Sequence, residues 1–356
     1  MPLQWERHFY GNNMNLKEIL NSQPRFREGQ VEKAIFQDLI TNWNQATNLP
    51  KTLIDKLSAQ LPLDIKADVL VSKTGNSVKA ILKLNDDLLV EAVLMKHKNR
   101  NTVCVSSQVG CSMGCLFCLT GQKGLKRNLT TWEIISQVLF FNRLLKNEKQ
   151  RVTNVVFMGM GEPLLNYDNV MEAIKILNKK TGFGISKSKI SVSTVGIPWA
   201  IKKLAKETIR PNLAISLHTA SQKTREKLMP IAKNHNLEEL SRAIEFYIKS
   251  TKQRVLFEYL MLKGINDSSK DVLDLALFVK QFKIPTGFRA NKNFYFVNLI
   301  AFNNFKSQNN LKFETSTPEK ILMFKEALAL HNIQAIQRFK FGEDIKGACG
   351  QLVYGG

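Results

Sequence analysis

The stretch VTNVVFMGMGEPLLNYDNVMEAIKILNKK, residues 152–180, contains one complete unit of the fold. Val152–Met158 is strand-like, a glycine-containing turn follows, and Asp168–Lys180 reads as a helix. The same alternation runs outward from this unit. KISVSTV (189–195) is followed by helical Pro198–Lys206, and NLAISLH (212–218) by Gln222–Leu228 and Leu237–Lys249. RVLFEYLML (254–262) precedes Lys270–Phe282, FYFVNLIAF (294–302) precedes Pro318–Leu330, and Ile333–Phe339 is a last strand. Strand and helix alternating over so long a stretch predict an α/β fold: a parallel sheet with helices outside, in six or so units. Such a sheet forms an open or partial barrel, with its active site at the carboxyl ends of the strands.

Upstream the period differs. Residues 1–62 read as a small helical domain with Val31, Ala34, Ile35, Leu39 and Ile40 at helical spacing. Residues 63–100 carry strand-like Val69–Ser72, Val78–Leu84 and Leu88–Met95, separated by the turn residues Gly75–Asn76 and Asn85–Asp87, and predict a β-hairpin linker. The barrel is then expected over 101–340 and a C-terminal loop over 341–356.

The chain has 356 residues, 44% of them hydrophobic, with 51 Lys and Arg against 30 Asp and Glu. The resulting charge of +21 favours a polyanionic partner such as nucleic acid, although many of the lysines could simply be solvated. No apolar run approaches the ~18 residues of a membrane span, and the opening MPLQWERHFY is too polar for a secretory signal. No membrane association, a cytoplasmic location and a monomeric state are expected.

Four of the five cysteines fall within fifteen residues: Cys104, Cys111, Cys115 and Cys118, with Cys349 remote. An odd number in a chain of this class argues against a disulfide framework. Cys111-Ser-Met-Gly-Cys115-Leu-Phe-Cys118 is a C-x3-C-x2-C run on a glycine-containing loop. A zinc site wants four ligands, and no nearby His or Cys continues the pattern. Three thiolates suit an iron–sulfur cube with one iron left open, which can chelate S-adenosylmethionine (SAM) and deliver an electron to its sulfonium. Free or zinc-bound cysteines remain the plain alternative.

This spacing is the signature of the radical SAM superfamily, which the chain resembles. CVSSQVGCSMGCLFCLTGQKGLKRNLT, NVVFMGMGEPLLN, ISVSTVG, LAISLH, LMLKGIND and GEDIKGACGQL together are similar to the dual-specificity 23S rRNA and tRNA adenine-C2 methyltransferases. The resemblance spans nearly the whole chain, and Phe26-Arg27-Glu28-Gly29-Gln30 with Asn48-Leu49-Pro50-Lys51 resembles the family's accessory domain. It implies a partial (β/α)6-type radical SAM barrel, a 4Fe–4S cluster, two SAM per turnover, 23S rRNA and tRNA as partners, an unidentified electron donor, and roles in rRNA and tRNA processing.

Site residues follow from the matching motifs. Cys111, Cys115 and Cys118 match the cluster ligands. Gly161, Glu162, Ser193, Ser216, Leu217, His218 and Asn303 match SAM-contacting positions. His218 alone would read as a structural histidine. Asn304 stands where the family usually has Pro, and Lys346-Gly347 replaces an acidic-then-small pair.

Adenine C2 lies between two ring nitrogens and is too electron-poor to attack SAM's methyl group. The resemblance implies that Cys349 is methylated first, and that a radical formed on this methyl group adds to C2. Cys104 then resolves the adduct by forming a disulfide with Cys349, and Glu91 accepts the C2 proton. Read alone, Cys349 could be a buried turn residue and Cys104 core, while strand alternation puts Glu91 on the side of Leu89 and Val93 and so poorly solvated, with an edge-strand carboxylate facing water as the alternative. Lys96, Lys98, Arg100, Lys123, Lys126 and Arg127 flank the cluster loop and could hold phosphates. Two rivals are weighed: a C8-specific methyltransferase of the same ribosomal adenine, and a non-catalytic zinc-binding RNA-binding protein.

Overall fold

The structure is a computed structural model and describes residues 19–286, 294–303, 312–339 and 341–353. Asn304, noted above as a departure from the family pattern, lies outside them, as does the first part of the helical segment.

Helices α1 (Phe26–Phe36) and α2 (Lys51–Gln60) form the helical module. Val31, Ile35, Leu53 and Leu57 make its core together with Trp43, whose indole N–H donates to the Leu61 carbonyl at 2.7 Å. The apolar period predicted through Ile40 outruns the helix. Leu39 takes a left-handed conformation with φ 59° just past its end, and Ile40 is buried from a turn.

Strands β1 (Ala67–Val71), β2 (Ser77–Lys83), β3 (Leu89–His97) and β4 (Arg100–Val105) follow, each antiparallel to the one before. β5 (Gln108–Gly110) and β6 (Leu125–Asn128) make a separate small antiparallel pair that frames the cysteine loop and helix α3 (Leu119–Gln122). After helix α4 (Thr131–Lys146) the alternating region begins. Its strands are β7 (Asn154–Phe157), β8 (Ile190–Thr194), β9 (Asn212–Ser216), β10 (Leu256–Met261), β11 (Phe296–Ala301) and β12 (Gln334–Gln337). The helices between them are α5 (Tyr167–Asn178), α6 (Pro198–Leu204), α7 (Gln222–Leu228), α8 (Leu237–Thr251), α9 (Ser269–Lys280) and α10 (Pro318–Leu330).

One ten-stranded sheet runs in the order β1-β2-β3-β4-β7-β8-β9-β10-β11-β12. From β4 through β12 every pairing is parallel, and the sheet does not close. The expected α/β partial barrel is present. The strands expected as a hairpin linker extend this sheet rather than standing apart, because β4 pairs with β3 on one side and with β7 on the other.

Helix α4 has no counterpart in the sequence reading. Its signal is Thr130-Thr-Trp-Glu133, a reciprocal capping box in which Thr130 Oγ1 accepts from Glu133 N–H and the Glu133 carboxylate accepts from Thr130 N–H. The same helix anchors the N-terminal module. Arg143 donates to the carbonyls of Leu63 (2.8 Å) and Ile40, and Lys146 to that of Asp38 at 2.7 Å.

Charge-assisted hydrogen bonds of this kind contribute about 1.5–3 kcal/mol each. Arg143→Ala should therefore loosen the module before the sheet unfolds. Limited proteolysis is expected to cut near residues 61–66 at least several-fold faster than in the wild type, with amide exchange in β7–β10 unchanged.

Candidate active site

The cysteine loop is shaped by its own backbone and by distant partners. Gly114 adopts φ 65° in the middle of the loop. Cys111 N–H donates to Gly124 O at 2.9 Å, Cys118 N–H to Cys115 O at 3.1 Å, and Leu116 N–H to Leu228 O at the end of α7 at 3.0 Å. Cys111 and Cys115 are buried and Cys118 is half-buried. Burial pushes the Cys111 thiol up to about 12, with neighbouring Cys118 and Glu162 adding. Cys115 rises well above the usual thiol range for the same first reason, with Cys118 and Cys111 adding and Arg225 opposing. The three thiols thus feel one another across the loop. Among the described residues no three His, Cys, Asp or Glu side chains close on a single-ion site.

The loop borders a cavity at the carboxyl ends of the parallel strands. Cys118, Gly161, Glu162, Ser193, Ser216, His218 and Cys349 all line it. It holds about 760 Å³ of empty space, open mouth included, in the size range of small-ligand sites.

Gly161 has φ 100°, and a Cβ there would lie 2.6 Å from Gln108 Cβ, so only glycine lets β5 pass this turn. Glu162 follows it, 2% exposed. Its carboxylate accepts from Leu164 N–H at 3.0 Å and Val195 N–H at 2.8 Å. Burial nevertheless outweighs these donors and pushes its pKa up to about 7. Ser193 and Ser216, at the ends of β8 and β9, bring their hydroxyls within 3.1 Å.

His218 sits just past β9 in the left-handed region, φ 60°. Its carbonyl accepts from Asn266 Nδ2 at 2.7 Å and its Nδ1 from Leu260 N–H at 3.1 Å, which leaves the ring proton on Nε2. Burial, then Arg225, lowers its pKa to about 3, so the ring stays neutral. Leu217 does not line the cavity. It is fully buried, and its backbone carbonyl is taken by Arg225. Asn303, just past β11, donates from Nδ2 to Cys349 O at 3.1 Å, while its Oδ1 is buried with no partner.

Cys349 is exposed on the cavity wall. Burial raises its thiol, Arg338 opposes, and Glu258 and Cys118 add. Cys104, fully inside β4, is pushed up to about 12 by burial, with Cys349 adding and Arg338 opposing. Sequence position alone suggests a core residue. The structure places it in electrostatic reach of Cys349, 245 residues away in sequence on the count from 104 to 349. Both thiols are free, so the disulfide expected between them in turnover is not a feature of this structure.

Glu91 does not face water. It is buried, paired with Lys79 Nζ at 2.9 Å, and accepts from Val353 N–H at 3.1 Å. It lies outside the cavity lining but is tied to the segment that carries Cys349. Of the six basic residues proposed for phosphate, Arg127 is held by Glu133 (2.8 Å) and Asp86 (2.6 Å), and Lys96 by Glu148 at 2.6 Å.

Comparison with known proteins decides the family. The Radical SAM superfamily description matches residues 105–276. A probable dual-specificity RNA methyltransferase RlmN from Dictyoglomus turgidum is 42% identical over 345 residues, 96% of this chain and 95% of that protein. A protein of the same description from Listeria monocytogenes is 36% identical over 343 residues, covering 95% and 90%. The chain belongs to the RlmN family of radical SAM RNA methyltransferases. A crystal structure of a radical SAM methyltransferase from Sphaerobacter thermophilus superposes with a TM-score of 0.87 at 35% identity, covering 95% of this chain and 96% of that one.

A 4Fe–4S cluster and SAM are the cofactors of this family, and the residues present fit both. Three thiols on one loop, within electrostatic reach of one another, supply three corners of such a cube. The orphaned Asn303 Oδ1 offers an unused acceptor to SAM's donors. Glu162 offers a carboxylate to its ammonium group.

Sequence reasoning missed Arg225, Arg338, Glu258 and Asn298. Arg338 ion-pairs with Glu258 at 3.4 Å, and Asn298 Nδ2 donates to Glu258 Oε1 at 2.8 Å. Glu258 and Asn298 are single polar residues within apolar strands, and this was the one signal available.

Glu162 yields a pH prediction. Its folded pKa of about 7 lies above the unfolded value near 4.5, so the cofactor-free fold holds this proton longer than the unfolded chain does. Its contribution to stability is greatest below about pH 4.5 and is lost as pH rises toward about 7. The thermal midpoint of wild type relative to Glu162→Gln should fall across that window. SAM binding near pH 6.5 should release a proton in the wild type only, read by calorimetry in two buffers of different ionisation enthalpy.

Proposed function

We propose that this chain methylates C2 of an adenine in 23S rRNA, and of an adenine in tRNA, by radical SAM chemistry. The observation that supports it most is that Cys349, Cys118, Glu162 and His218 meet in one cavity at the strand ends, within a family of dual-specificity RNA methyltransferases. The cluster and SAM, when bound, supply the electron and the radical that an electron-poor carbon requires.

The chain's own residues have four tasks in this reading. Cys111, Cys115 and Cys118 hold the cluster. Gly161, Glu162, Ser193, Ser216, Leu217, His218 and Asn303 hold SAM, with Leu217 acting through its backbone. Cys349 carries the methyl group to the base, and Asn303 keeps its backbone in place. Glu91 takes the C2 proton, with Lys79 orienting the carboxylate. Cys104 attacks the Cys349 sulfur as a thiolate and the S–C bond breaks; the carbon takes up a proton and leaves as the methyl group of the base, the two sulfurs form a disulfide, and the unpaired electron left by the radical addition would return to the cluster. Residues 1–62 serve as an accessory RNA-binding module, 63–100 as the link, 101–340 as the catalytic barrel and 341–356 as the carrier loop. The protein acts as a monomer in the cytoplasm and draws its electron from a separate low-potential donor.

Nucleoside mass spectrometry after anaerobic reaction with a ribosomal RNA fragment tests the reading: 2-methyladenosine is expected, and 8-methyladenosine would overturn it in favour of the sister activity. For the two outer thiols, Cys104→Ala should trap a nuclease-sensitive protein–RNA band on a denaturing gel. Cys349→Ala should give neither band nor product. Normal product yield from Cys104→Ala would leave that thiol a core residue.

A further inference from the structure

Arg225, on α7, is 1% exposed and carries one of the largest side chains so fully enclosed. Its guanidinium donates to three carbonyls at the strand ends, those of Val195, Ser216 (3.2 Å) and Leu217, and approaches Met229 Sδ at 3.4 Å. Its Nε is buried without a partner. None of these partners is an anion, and the one acidic group acting on its charge is the thiol of Cys115. A buried cation without a counter-charge is strongly unfavourable, because carbonyl dipoles replace only part of its lost hydration.

The same helix holds the cysteine loop. Leu228 O, one turn on from Arg225, accepts from Leu116 N–H at 3.0 Å, and Pro230, two residues past the helix, lies 3.6 Å from where a Cβ on Gly114 would stand. The charge and the loop are therefore fixed to one short element and cannot drift apart. Cluster binding turns three thiols into thiolates and brings net negative charge beside the guanidinium. One-electron reduction adds a further negative charge there: the electron comes from a low-potential donor, which is oxidised, and no bond or proton changes place. A fixed cation nearby stabilises the reduced form more than the oxidised form.

We propose that Arg225 is the built-in counter-charge of the iron–sulfur cluster, a positioning residue that raises the cluster's reduction potential. This rests on the reading of Cys111, Cys115 and Cys118 as the cluster ligands. It also accounts for the absence of a carboxylate partner among the described residues, since an acid beside Arg225 would cancel the effect.

The test is a redox titration of anaerobically reconstituted protein with dithionite and mediators, following the electron paramagnetic resonance signal of the reduced cluster. At the wild-type midpoint, Arg225→Gln should lower the reduced-to-oxidised ratio at least tenfold, a shift of about 59 mV for one electron. Arg225→Lys should stay within threefold of the wild type. A second pair leaves the arginine in place. Met229→Glu puts a carboxylate against the guanidinium and should lower the ratio as Arg225→Gln does, while Met229→Gln should not. If Arg225→Gln fails to fold, the Met229 pair decides. Equal midpoints in all variants, or equal losses in Arg225→Lys and Arg225→Gln, would overturn the proposal. Wild-type protein that takes up no iron and sulfide would overturn the cluster reading itself, and is distinguishable from both.

Discussion

Residues 348–353 are pinned across the carboxyl ends of the strands, and the site depends on that attachment. Gly350 O accepts from Leu119 N–H at 2.9 Å and Leu352 O from Thr120 Oγ1 at 2.5 Å, which ties the segment to the helix after the cysteine loop. Asn303 holds Cys349 O from just past β11, and Glu91 holds Val353 N–H from the start of β3. Each of these bonds joins parts of the chain far apart in sequence. Together they place an accessible thiol on a cavity wall shared with Cys118. The segment is held by a few hydrogen bonds at its edges, and its thiol stays open to the cavity.

The charges around the cavity are held in reserve. Glu162, His218, Cys104 and Cys349 are all shifted by burial toward their neutral forms. Such a site stores little charge until a ligand with complementary groups enters, and then gains on both the ligand and the protein side. Two arginines stay charged at neutral pH, although burial lowers Arg225 to about 10. Arg338 is balanced by Glu258, the first cause of its raised pKa, and acts on Cys104 and Cys349. Arg225 has carbonyls for partners and acts on Cys115 and His218. One arginine therefore acts on Cys104 and Cys349, and the other on the loop that carries Cys111, Cys115 and Cys118.

The strand–helix alternation was legible from residue 152 onward because each unit keeps its own period. Gln222–Leu228 and Pro318–Leu330 form helices over those residues. The helix Thr131–Lys146 has no counterpart in the sequence reading, although its capping box and apolar pairs at 134–135, 138–139 and 144–145, which recur at helical spacing, are both present in the sequence. Leu39 was placed in a helix that ends at Phe36, because spacing cannot show where a backbone turns left-handed. Glu91 was read correctly as poorly solvated from strand alternation, but its partner Lys79 lies on the neighbouring strand, and register is a tertiary fact.

The sequence by itself determined the order of elements, the three-cysteine loop, the turn at Gly161 and the family pattern, because these depend on residues a few positions apart. Only the tertiary structure decided which distant groups act on one another. Arg225 reads as one polar residue among many in QKTREKL, and its burial becomes visible only when α7 packs against the ends of β8 and β9. Cys104 reads as core until Cys349 is brought beside it. Desolvation and Coulomb interaction act through space over a few ångströms, and a chain folded into a sheet brings together residues that its sequence keeps hundreds of positions apart.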